Sequence, residues 1–276
     1  MNDTDSNLHL VPYSDWDGLT ITVTPAAESD LPIENLLDPN ATITRISGSP
    51  DPITIKGSNT TDLLAGGFAL AKHNLPENTT IRVRLYADIN QTGTIVYDST
   101  AISIVPVTPV GFDAWDDIYP LTLPNTFSVW FTNVTYKSFQ VDIDQPASPI
   151  AIIDIGRLFL GFAFTATVNF SKGASIEHVD KSIHKRTGGL GIRTLSMAPY
   201  RKFDISINHM PLSDREQLLE LLERYGKGRD MLISLDPMAT NRISVENTMI
   251  AKRISNNKVV HIGPSIFSLK LTFEET

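Results

Sequence analysis

Thr80-Ile81-Arg82-Val83-Arg84-Leu85-Tyr86-Ala87-Asp88 opens by alternating polar and apolar residues. A period of two puts successive side chains on opposite faces of an extended chain, so the stretch predicts a half-buried β-strand. The same pattern recurs in Leu19–Thr24, which Pro25 ends, and in Ile53-Thr54-Ile55. It returns in Ile102-Ser103-Ile104-Val105, Phe127-Ser128-Val129-Trp130-Phe131 and Phe139-Gln140-Val141-Asp142-Ile143. Pro, Gly, Asn and Asp cluster between these runs, as turn chemistry requires. Short strands at regular spacing predict a mainly β chain that begins with a jelly-roll β-sandwich over residues 1–165. No stretch in that half predicts a helix of more than a few turns.

The pattern changes in residues 166–276. Ser213-Asp214-Arg215-Glu216 reads as a capping box, and Leu218, Leu221, Leu222 and Tyr225 follow at the spacing of one helix face. Gly226 then falls where a left-handed C-cap belongs. Met231–Leu235 reads as a buried strand closed by Asp236-Pro237. Met249–Ile254 and Lys258–Ile262 predict a hairpin around Asn256-Asn257. In the last run, Phe267, Leu269, Leu271 and Phe273 share one face, with Ser268, Lys270 and Thr272 on the other. The second domain is therefore expected to be α+β, with one amphipathic helix on a sheet.

Composition narrows the function. With 41% apolar and 20% charged residues the chain is globular rather than disordered. No apolar run approaches the roughly 18 to 20 residues of a membrane-spanning helix. There is no cysteine, which excludes disulfides, cysteine-ligated zinc and a thiol nucleophile. Met1-Asn2-Asp3-Thr4-Asp5 is polar and acidic, so no signal peptide is read there and synthesis in a cytoplasm is expected. Asn-X-Ser/Thr triplets begin at Asn2, Asn40, Asn59, Asn78, Asn90, Asn133 and Asn169, and read as turn and strand composition rather than glycosylation sites. Residues 1–165 hold 7 Lys and Arg against 19 Asp and Glu, a net of −12, whereas residues 166–276 hold 16 against 12, a net of +4. Opposite signs suggest two domains and head-to-tail contacts between copies. A net of +4 is too weak to argue for nucleic acid.

A resemblance rests on an ordered series of phrases. They are Glu34-Asn35-Leu36-Leu37-Asp38, Leu70-Ala71-Lys72-His73-Asn74-Leu75, Thr80–Asp88, Val96-Tyr97-Asp98-Ser99 and Ile155–Gly161. Arg186-Thr187-Gly188-Gly189, Tyr200–Ile205, Leu212–Arg215 and Leu232–Pro237 follow. This order resembles tail-tip or baseplate proteins of siphophages, of the distal-tail or upper-baseplate type, including those of Mu-like long-tailed phages. The resemblance implies a structural virion protein made in the host cytoplasm. It implies a peripheral jelly roll and a ring-forming C-terminal domain. The implied partners are further copies in a symmetric ring and the tail tube, hub and fibre proteins, without nucleic acid or membrane insertion. Asn35–Asp38 is also similar to the Asn-X-X-Asp phrase of galactose-binding-like jelly rolls. The sugar-binding members follow it with a Trp, where this chain has Ile43-Thr44-Arg45-Ile46.

No catalytic residue, cofactor site or metal site is expected. His178, Asp180 and His184 are spaced i, i+2, i+6, which fits no helix face and no tight ligand pair, so a solvated loop is the reading. His73 reads as a packed or hydrogen-bonded residue at a strand end. Gly188-Gly189-Leu190-Gly191 lacks the Lys-Ser/Thr of a phosphate loop and reads as an interface or mobile loop. Its neighbours Lys181, Lys185, Arg186 and Arg193 make it a candidate arm for an acidic subunit, with a solvated loop as the alternative. Asp113, Asp116 and Asp117 around Trp115 could hold Ca²⁺ or serve glycoside hydrolysis, but the spacing matches no calcium loop and reads as surface. Trp115 and Tyr119 are the candidate contact surface, whereas Trp130 and Tyr86 sit inside strand patterns and are expected in the core. The alternative to the structural reading is a carbohydrate-binding adhesin that uses those exposed rings.

Overall fold

The computed structural model describes residues 7–12, 19–38, 43–47, 52–76, 78–104, 126–145, 150–186, 192–197, 199–238 and 246–276. Among the described residues the chain is mostly antiparallel β-structure with one α-helix of more than one turn, and it forms two compact units. The first comprises residues 1–165 together with Leu232–Met249, and the second Ala166–Met231 together with Ile250–Thr276.

The first unit is a β-sandwich of the jelly-roll class. Its main sheet runs Arg157–Gly161, Ile53–Ala71, Thr126–Asp144, Thr80–Tyr86, Ile95–Asp98, with Thr20–Thr24 added to the second strand and Ile102–Ser103 to the fourth. The strand read at Ile53–Ile55 extends to Ala71, and the two runs at 127–131 and 139–143 are one strand, Thr126–Asp144. These two long strands pair through register shifts between Ser58 and Leu63 and between Ala65 and Gly67. Such bulges let the ladder bend without ending, which is why the interrupted apolar pattern reads as separate short strands. Thr44–Ser47 pairs with Ile152–Ile155 as a second, small sheet. Ile46, Ile153 and Ile155 from it join Ile53, Ile55, Phe68, Ile81, Val83, Leu85, Phe139 and Val141 in one core. Thr80–Tyr86 thus buries Ile81, Val83 and Leu85 and turns Arg82 outward, the alternation that its sequence shows.

Two glycines of this unit are spaces for aromatic rings. Gly57 lies opposite Phe139, and a Cβ on it would come within 2.2 Å of that buried ring. Gly67 lies opposite Trp130, with Val11 against it. Asn35–Asp38, read as a lead-in loop, falls in a 3-10 turn, Ile33–Leu37, closed at Asp38, with the Asn35 amide donating to the Ile43 carbonyl. His73-Asn74 follows the end of the long strand. The Asn74 side chain donates to the Ile152 carbonyl and accepts from the Asp154 amide, so it acts as one more rung of backbone pairing.

In the second unit Ser175–Val179, Tyr200–Pro211 and Ile266–Glu275 lie side by side and antiparallel. Phe203, Ile205 and Ile207 point to the same buried face as Phe267, Leu269, Leu271 and Phe273. A bulge between Ile207 and Met210, with His209 at φ 64, returns Met210 to that face. The helix, Leu212–Tyr225, packs on this sheet through Leu218, Leu221 and Leu222.

Three local expectations are corrected. Ser213 does not cap the helix: Pro211 holds the N-cap position without a side-chain bond. The Ser213 hydroxyl donates to Asp214 instead, and the buried Asp214 carboxylate accepts from the Thr167 amide and hydroxyl. Gly226 has the positive φ that favours glycine, but its ψ of −149 lies outside the left-handed helical region. Asn256-Asn257 is not a hairpin turn either. Ala251–Arg253 and Val259–Gly263 both pair with Ile266–Glu275, so they follow one another along its edge. The hairpin turns at Pro264-Ser265, where the proline ring presets φ and Ser265 has φ 58, as a type II turn requires.

Candidate functional site

The basic stretch of the second unit folds into an exposed β-arm. Ile183–Arg186 pairs antiparallel with Ile192–Leu195, bringing together Ile183 and Leu195, His184 and Thr194, Lys185 and Arg193, Arg186 and Ile192. Its base is tied by side chains. Asp180 accepts from the Ser182 amide at 2.8 Å, and Ser182 accepts from the Met197 amide at 3.1 Å. The Ser182 hydroxyl and amide hold the Asp180 carboxyl below the usual carboxylate range. Lys181 stands beside the arm, 4.5 Å from the centre of the Tyr200 ring and 3.3 Å from Glu274. Tyr200 first and Glu274 next hold its ammonium above its ordinary value.

Between Lys181 and Phe203 the chain carries six Lys and Arg and no Asp or Glu. Lys181, Arg201 and Lys202 have carboxylate partners in Glu274, Glu275, Glu177 and Asp204. Lys185, Arg186 and Arg193 form no ion pair among the described residues. Lys185 and Arg193 face each other across the arm, an arrangement that costs stability in an isolated hairpin. On the same face, nearer the base, Ile183 is 44% and Leu195 60% exposed. Three of the six predicted interface residues therefore belong to one element, and a fourth, Lys181, stands beside it. The apolar pair was missed because alternation in a short basic run looks like a loop; the signal was Ile183-X-Lys185 against Arg193-X-Leu195.

Trp115 and Tyr119, with Asp113, Asp116 and Asp117, lie outside the described residues, as does the glycine cluster at 188–191. His178 lies in the strand Ser175–Val179 and His184 in the arm, bonded to Thr194, rather than in one loop. Among the described residues no three His, Cys, Asp or Glu side chains come together as metal ligands. No helix among them is long and apolar enough to cross a membrane.

The described rings of the first unit face inward. Trp130, Tyr86, Tyr97 and Tyr136 are buried, Tyr97 stacks on Phe131 at 3.9 Å, and no Phe, Tyr or Trp ring is exposed among the described residues. Three arginines of this unit lie against carboxylates. Arg45 forms two hydrogen bonds with Asp154, Arg82 two with Asp98, and Arg84 pairs with Asp142. The Arg82 guanidinium holds the Asp98 carboxyl below the usual range. The ion pairs of the first unit brace its sheets, and the arm of the second leaves Lys185, Arg186 and Arg193 exposed.

No protein-family model matches the chain, and no curated protein matches it. Solved structures similar to part of it include the family 32 carbohydrate-binding module of C. perfringens NanJ in complex with galactose. That module is 12% identical, with a TM-score of 0.37 over 55% of this chain and 98% of the module. The family 32 module of AlyQ in complex with 4,5-unsaturated mannuronic acid is 18% identical, with a TM-score of 0.35 over 51% and 92%. A Ruminococcus gnavus GH29 fucosidase is 9% identical, with a TM-score of 0.38 over 54% of this chain, which spans only 26% of the fucosidase.

Proposed function

We propose that the chain is a binding and assembly protein rather than a catalyst, and that the β-arm is its docking element for an acidic protein surface. The observation that carries this reading is the arm itself: three cations without ion-pair partners among the described residues, two of them opposed, beside exposed Ile183 and Leu195. An arm that is costly to form alone gains most from a partner that supplies carboxylates. The finer reading is a structural virion protein of a phage tail tip or baseplate, made in the host cytoplasm, whose copies form a ring joining the tail tube to the hub and fibres. The ordered phrases from Glu34 to Pro237 support it. Mass spectrometry of purified tail particles tests it: the polypeptide is expected among the virion proteins, and its absence from intact particles overturns the tail-tip reading.

The second reading is carbohydrate recognition by the first unit. The observation behind it is the run Asp113–Tyr119, which sets two aromatic rings among three carboxylates, groups that stack on and hydrogen-bond to a sugar. Galactose and uronic-acid ligands, as held by the modules named above, are the first to test. A glycan array gives specific binding that Trp115→Ala abolishes if this reading holds, and no binding if it does not.

A further inference from the structure

The helix of the second unit carries the counterpart of the arm. Glu216, Glu220 and Glu223 are all exposed, at i, i+4 and i+7. That spacing makes one stripe about 10 Å long on the face opposite the buried leucines. Like charges at i and i+4 destabilise a helix, just as Lys185 opposite Arg193 destabilises a hairpin. Among the described residues none of the three glutamates forms an ion pair. On the arm, Lys185 and Arg193 lie side by side on one face, and Arg186, the next residue along, lies on the other. Within one chain no ion pair among the described residues joins the two sets.

We propose that the arm of one copy docks on the helix stripe of a second copy, Lys185 and Arg193 on one face of the arm meeting Glu216, Glu220 and Glu223. Each set removes the self-repulsion of the other. Because the two patches differ, the contact is heterologous: each copy offers an arm on one side and a helix on another, so successive copies close into a ring or continue as a filament. The inference rests on the reading of the arm as a protein-docking element and names its partner.

Three variants of the full chain test it by sedimentation velocity in about 50 mM and about 500 mM salt, conditions that differ roughly threefold in screening length. They are Lys185→Glu/Arg186→Glu/Arg193→Glu, Glu216→Lys/Glu220→Lys/Glu223→Lys, and the chain bearing all six changes. The wild-type chain is expected to associate at low salt and dissociate at high salt. Each triple variant weakens association about tenfold or more, and the six-fold variant restores it. The chain has no cysteine, so in the chain bearing Arg193→Cys with Glu220→Cys a 193–220 disulfide between copies, identified by peptide mapping of the oxidised oligomers, marks the proposed contact, whereas 193–193 or 220–220 links alone count against it. If the arm variant weakens association and the helix variant does not, the helix is not the partner, and this inference falls while the docking reading of the arm stands. If neither matters, both fall. A wild-type chain that stays monomeric but binds a duplex oligonucleotide through the arm also overturns the proposal.

Discussion

The outer charges of the sandwich and those of the β-arm are used in opposite ways. In the sandwich Arg45 stands opposite Asp154, Arg82 opposite Asp142 and Arg84 opposite Asp98, and each bonds a carboxylate, Arg45 that of Asp154, Arg82 the diagonal Asp98 and Arg84 the diagonal Asp142. In the arm the residue across from Lys185 is Arg193. Cross-strand opposites help a sheet and cross-strand likes oppose it, so the first set serves the fold, and the second is the set we propose for a partner. The second unit also holds its own control. Its Arg201, 2% exposed, donates through its backbone amide, Nε and Nη2 to Glu275.

Removing one side of that buried pair is the largest effect expected. Glu275→Gln removes the carboxylate that three Arg201 donors reach and should cost about 3–5 kcal/mol, read as a lowered midpoint in urea by circular dichroism. Arg201→Met with Glu275→Met should recover most of the loss, because the charges then go together. If the single change is silent, the division between charges that serve the fold and charges that serve a partner fails at its clearest point.

Acid should separate the units next. Burial pushes His73 in the first unit down to about 4, so the folded chain holds it neutral while the unfolded chain protonates it near 6.5. Its contribution is fully present above the unfolded value and is lost as pH falls from about 6.5 toward 4, by up to ~3 kcal/mol. All three Trp lie in the first 165 residues, so tryptophan fluorescence follows that unit. The urea midpoint should fall between pH 7 and pH 5, and His73→Gln should flatten the slope.

Gly57→Ala breaks the sandwich by volume instead of charge. The new Cβ would meet the ring of a Phe139 that has no solvent-exposed side to move into. A cost of about 1–3 kcal/mol is expected in the same fluorescence assay, with the arm and helix untouched.

How much of this was legible depends on whether the signal was local. Alternation in Ile81–Tyr86 and Phe267–Phe273 foretold the buried faces, because a strand writes its own period into the sequence. Leu218, Leu221 and Leu222 did the same for the helix. What failed was partner choice. Ser213 matched a capping pattern, but Asp214, its neighbour, is drawn to Thr167, a competitor 47 residues away that no local rule sees. Asn256-Asn257 looked like a turn, yet Pro264-Ser265 had the stronger turn chemistry and won the hairpin. Likewise Lys185, Arg186 and Arg193 were read as a basic loop. Only the register showed two of them to be opposed, and only the helix geometry aligned the three glutamates.

The smallest predicted effect is the most discriminating, because its sign differs from that of every other charge substitution proposed. Lys185→Glu places a carboxylate opposite Arg193, turning a repulsive cross-strand pair into an attractive one. The gain should be ~0.2–1 kcal/mol, since exposed pairs are screened and contribute little. Thermal melting of the isolated chain at low salt should therefore rise slightly, and the rise should vanish at high salt. Asp98→Asn removes the partner of Arg82 and should lower stability by a similarly small amount. The same Lys185→Glu change should weaken any docking of the arm on carboxylates. A substitution that helps the chain alone and harms its association identifies a side chain kept for a partner. If Lys185→Glu lowers stability instead, Lys185 serves the fold as the sandwich arginines do, and the contrast between the two units is lost.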